Sequence, residues 1–143
     1  MVVLMSFAIT EREVDGVVIL NLNGRFVIGE AIELFRNTFD QLMKAGRSRI
    51  ALDLSGTDYI DSGGMGYFVV AHTQSEKAGG SLTMYNLTQR SIDLMLLTKL
   101  STVFNIYDNE IDAVNATYPD RKVKKFDILD FVQRQGEDAV GGE

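Results

Sequence analysis

An α/β domain with a mixed sheet is predicted by three features of this chain. A turn signal separates two apolar runs near the start. Short apolar runs then alternate with segments of helical period. Glycines close those segments. The predicted order is ββαβαβαβα, a sheet opened by an N-terminal hairpin with helices packed on it.

Phe7 to Glu13 alternates loosely, as an edge strand does, and Asp15-Gly16 is a hairpin turn signal. Val17 to Asn23 is a strongly apolar second strand, stopped at Gly24 and expected to pair antiparallel with the first. From Gly29 to Ala45, Ile32, Phe35, Phe39, Leu42 and Met43 recur at helical spacing, and Gly46 ends the helix. Ile50 to Leu54 reads as a strand buried on both faces. A polar turn over residues 55–60 leads into a helix that begins at Asp61-Ser62 and ends at Gly79-Gly80. Ser81 to Tyr85 is the next strand, and the helix between the two implies a parallel, right-handed crossover. Gln89 to Leu100 is a helix with Thr88 as its cap, richer in apolar residues than one buried face requires. Val103 to Tyr107 is the fifth strand, and Asn109 to Ala116 the last helix of the domain.

The only proline, Pro119, marks a boundary. The expected division is a domain over residues 1–116 and a C-terminal extension over 117–143, partly helical or disordered. Within the extension, Ile128, Leu129, Phe131 and Val132 suit one apolar patch of a short helix that docks on the body or on a second chain. Residues 136–143 are expected to fray.

Composition narrows the function. With 143 residues, 45% apolar and 24% charged, the chain has the balance of one globular domain. Cysteine is absent, which removes disulfides, thiolate metal sites and a Cys nucleophile. The net charge of −6 and the lack of a basic stripe argue against nucleic acid. The basic run from Arg121 to Lys125 is better read as a solvated stretch. The apolar run Met1 to Met5 lacks a basic flank and is too short for a signal peptide or a membrane span, so the cytoplasm is the default.

Ser62 stands where a buried strand delivers the chain to a helix N-terminus. Such an end has unpaired N–H groups and a partial positive charge, and it receives phosphate well. Gly63, Gly64 and Gly66 leave little side-chain cover over the first turn. The plain alternative is that Ser62 is the N-cap and nothing more. Enzyme readings fare poorly. The glycine-rich turn has no following Lys and lacks dinucleotide spacing. The single histidine, His72, is ten residues along the same helix, roughly 15 Å away, against a hydrogen-bond reach of about 3 Å. A Ser62–His72 dyad therefore fails, and His72 is read as a packing or surface residue. Asp53 at a strand end suggests an aspartyl nucleophile, and Asp58 and Asp61 lie close enough in sequence to hold a hard cation. Ser55 stands where a second carboxylate would be needed, so Asp53 is better read as accepting backbone hydrogen bonds from the following turn. No cofactor and no metal are expected.

The run Ile50-Ala51-Leu52-Asp53-Leu54-Ser55-Gly56-Thr57-Asp58-Tyr59-Ile60-Asp61-Ser62-Gly63-Gly64-Met65-Gly66 resembles the signature of STAS domains, in particular bacterial anti-sigma-factor antagonists. The resemblance extends from about Phe7 to Ala116 and implies the STAS fold. It further implies a protein switch rather than an enzyme. The serine matching Ser62 would be phosphorylated by an anti-sigma factor with serine kinase activity, and a PP2C-type phosphatase would reverse the modification. The unphosphorylated antagonist would bind the anti-sigma factor and free the sigma factor. The expected partner surface comprises Asp58, Asp61, Ser62, Gly63, Gly64, Met65 and Tyr67, with the helix from Gln89 beside it; a homodimer is a further expectation. Two positions depart from the family pattern. Gly63 replaces a common second Ser or Thr. Val27 stands where antagonists often carry Asp, with Glu30 the nearest carboxylate. The alternative is a STAS scaffold, ligand-sensing or transporter-associated subunit without phosphorylation.

Overall fold

The structure is a computed structural model and describes residues 7–128, 130 and 132–134. Its elements are β1 (Phe7–Val14), β2 (Val17–Phe26), α1 (Glu30–Lys44), β3 (Arg49–Asp53), β4 (Thr57–Ile60), α2 (Ser62–Lys77), β5 (Ser81–Tyr85), α3 (Gln89–Leu97), β6 (Asn105–Tyr107) and α4 (Glu110–Asn115), with a 3-10 turn at Leu100–Thr102. The mixed α/β class and the alternating order hold as expected, and one strand is added.

That strand is β4, where a polar turn is expected from sequence. β1 and β2 form the antiparallel hairpin, with Asp15 and Gly16 both at positive φ as the tight turn requires. β2 then pairs in parallel with β3 through Val18–Asn21, and with β4 through Gly24–Phe26. The register shifts between Gly24 and Arg25, and Gly24 has φ 113°. Gly24 therefore does not stop β2 but is the joint at which the strand changes partner. The whole sheet runs β1-β2-β3-β5-β6, with β4 beside the far end of β2.

Alternation along the strands splits the core in two. Val18, Leu20, Leu22, Ile50, Leu52, Leu82 and Met84 face α1, α2 and α3, and an aromatic stack of Phe26, Phe35 and Phe68 joins them. Val17, Ile19, Ala51 and Tyr85 point the other way, onto Ala113 and Val114 of α4. Two predicted boundaries move. The helix from Gln89 ends at Leu97, because Lys99 adopts a left-handed φ of 62° before the 3-10 turn; Met95 is buried, whereas Leu97 is 80% exposed. The strand expected from Val103 begins at Asn105.

Beyond α4 the chain continues as a strap around the β6 edge. The Arg49 guanidinium donates to the Thr117 carbonyl (2.7 Å), the Tyr118 hydroxyl donates to the Asp15 carbonyl (2.6 Å), and Arg121 pairs with Asp15 (2.8 Å). Both arginines also lie over the Tyr118 ring. The Phe126 N–H then reaches the Ile106 carbonyl (2.9 Å), and Ile128 is buried in the main core. Ile128 thus docks on the body and Val132 is exposed, whereas Leu129, Phe131 and residues 136–143, like Met1 to Met5, lie outside the described residues.

Candidate functional site

β4 brings the chain to the head of α2, beside the end of β2. The helix cap there is Asp61, not Ser62. Asp61 has the extended backbone of an N-cap, and its Oδ1 accepts from the Gly64 N–H at 2.7 Å. Its Oδ2 accepts from the Ile28 N–H at 3.0 Å, and its own N–H donates to the Phe26 carbonyl at 3.3 Å. One carboxylate therefore ties the helix head to the loop between β2 and α1. Asp and Ser are both good caps, and sequence alone does not choose between them; the hydrogen bonds do. Ser62 becomes the first helical residue, exposed, with its hydroxyl outside the cap.

The expected exposure of the first turn needs correction at two positions. Gly64 is buried, because the helix head lies against β2: a Cβ there would fall 2.8 Å from Phe26 Cδ2 and closer still to the Phe26 carbonyl. Met65 is 1% exposed and points into the core. Gly66 is open, and Gly63 is partly covered by the Ile28 side chain. Asp58 is exposed on β4, and Asp61 is half-buried by its capping role. Tyr67 is half-buried, edge-on to Phe35 at 5.8 Å between centroids; burial, followed by the Asp40 charge, raises its phenol pKa above the ordinary range. The residues of the site that sequence left out are Ile28 and Tyr59. Ile28 is 73% exposed, and Tyr59, 37% exposed, carries the Arg25 guanidinium 4.8 Å from its ring. Val27 is half-buried and Glu30 exposed at the start of α1.

The catalytic alternatives meet the same geometry. α2 is continuous from Ser62 to Lys77, so His72 stays three turns from Ser62. Its ring lies against Phe104 with Nε2 3.5 Å from Glu76, as a packing residue does. Asp53 is buried, and its Oδ1 accepts from the Ser55 N–H (3.0 Å) and the Asn86 amide (3.4 Å), tying down the turn. Among the described residues, no three His, Asp or Glu side chains gather as a metal site. No described helix is long and apolar enough to cross a membrane.

Comparison with known proteins points to one family. The family model described as the STAS domain matches residues 8–113. A protein of Thermotoga maritima named "Putative anti-sigma factor antagonist" is 30% identical over 101 residues, covering 71% of this chain and 89% of its own. A crystal structure under the same description from that organism superposes with a TM-score of 0.70 at 29% identity, over 76% of this chain and 93% of the other. The anti-sigma factor antagonist SpoIIAA in its unphosphorylated form gives a TM-score of 0.65 over 76% and 95%; at 18% identity that likeness is one of fold.

Proposed function

The chain belongs to the STAS domain family, and we propose that within it the chain acts as an anti-sigma-factor antagonist switched by phosphorylation of Ser62. It works in the cytoplasm by binding and releasing a protein rather than by catalysis. Unphosphorylated, it holds an anti-sigma factor with serine kinase activity and frees the sigma factor. Phosphorylated at Ser62 it lets go, and a PP2C-type phosphatase resets it. The relatives named as antagonists support the partner class.

The observation that carries this reading is the exposed Ser62 hydroxyl at the head of α2, left uncommitted because Asp61 does the capping. A phosphate there adds about −1.5 to −2 charges. Among the described residues nothing accepts from the Ser62 and Gly63 amides, so the helix end can receive the dianion without unfolding. An interface built around a neutral hydroxyl beside Asp58 and Asp61 would not tolerate it.

The test is affinity capture from the source lysate with wild type, Ser62→Ala and Ser62→Asp, read by mass spectrometry. Wild type and Ser62→Ala are expected to capture a serine-kinase anti-sigma factor, and Ser62→Asp to lose it. Only wild type should take up phosphate from ATP. Equal capture of one partner by wild type and Ser62→Asp, or capture of transporter or scaffold subunits, would sink the antagonist reading.

A further inference from the structure

We propose that Ile28 is the specificity contact beside Ser62: an exposed apolar knob on a fixed backbone that fits an aliphatic or aromatic socket next to the kinase's phosphate-donor site. This rests on the proposed function and names what the partner must offer. A single exposed apolar side chain is ordinary on a protein surface. Ile28 differs in how it is held. Its N–H is bound by Asp61 Oδ2 at 3.0 Å, the same carboxylate that caps the Ser62 helix. The next residue, Gly29, has φ 118°, a conformation that L side chains avoid, and its carbonyl starts α1 by accepting from Glu33 at 3.1 Å. The backbone on both sides is therefore fixed.

The side chain leans on the helix head. It lies over Gly63, where an added Cβ would fall 2.7 Å from Ile28 Cδ1 and nearer to Cγ1. Yet 73% of Ile28 remains exposed. A β-branched side chain has few rotamers to lose, so burying it under a partner costs little entropy. Val27 and Ile28 are the apolar residues on this side of Ser62, with Glu30 exposed at the start of α1, whereas Asp58 and Arg25 are the exposed charges on the β4 side. A kinase surface that fits must be apolar where it meets Ile28 itself.

The experiment measures initial rates of Ser62 phosphorylation by the captured kinase with ATP. Ile28→Ala is expected to raise KM for the protein substrate about tenfold or more with kcat within twofold, as loss of a binding contact does. Ile28→Val, which keeps the β-branch, should stay closer to wild type than Ile28→Ala. Gly63→Ala should raise KM although Ile28 is present, because the new methyl turns the side chain away. The double variant should be no worse than the poorer single one, since both act through one side chain. Melting temperatures should match wild type throughout, because neither site is deeply buried. An unchanged KM in Ile28→Ala, or effects that multiply in the double variant, would overturn the inference while leaving the antagonist reading intact. A wild-type chain that no kinase phosphorylates would overturn both.

Discussion

The head of α2 and the strap over residues 117–128 both fasten chain to an end of the sheet, and they do so by opposite means. The outer side of the helix head is held by backbone contact and one carboxylate, Gly64 letting it rest on Phe26 and Asp61 supplying the bonds to Gly64 and Ile28, while Met65 and Phe68 anchor its inner side in the core. The strap is held by side chains, with Tyr118 and Arg121 gripping the hairpin turn and Ile128 in the core. Even Gly16 serves the strap, since a Cβ there would meet the Tyr118 hydroxyl at 2.8 Å. The bare construction leaves Ser62 reachable; the dense one covers surface. Fixed geometry does not require many side chains, and a surface meant for another protein benefits from having few.

That contrast is open to attack at three places. The largest effect is expected from Gly64→Val, whose side chain has no room between Phe26 and Ile60; a loss of about 3 kcal/mol in urea unfolding is expected. On the strap, Ile128→Ala removes a buried side chain at the rim of the core and should cost about 2 kcal/mol by the same measurement. If it costs nothing, the strap is an ornament and the contrast fails. The finest test compares Asp61→Ala with Ser62→Ala by thermal melting. Loss of the cap should cost about 1 kcal/mol, and loss of the exposed hydroxyl less than about 0.5 kcal/mol. The reverse order would return the cap to Ser62.

Much of this architecture is legible in the residues. Apolar runs and turn glycines mark the hairpin, the parallel strands and helices α1 to α4, because burial and backbone sterics act locally there. β4 is not legible. Thr57-Asp58-Tyr59-Ile60 has only its ends buried, and it is a strand because β2 has an unpaired extension to offer it, with the Thr57 hydroxyl donating to the Leu22 carbonyl at 2.8 Å. Gly24 misleads for a related reason: the same glycine can end a strand or let it change partner. Within the site, Ser62 stands out by its place in the chain. The division of labour between Asp61 and Ser62, the burial of Met65 and the exposure of Ile28 depend on how the helix head meets the β2–α1 loop. Those residues are more than thirty positions apart, and no local pattern reports their meeting.

The strap's backbone bond at β6 also bears on what that edge can offer another chain. With the Phe126 N–H on the Ile106 carbonyl, that acceptor is already taken. A strand added at β6 would first have to displace the strap from Ile106.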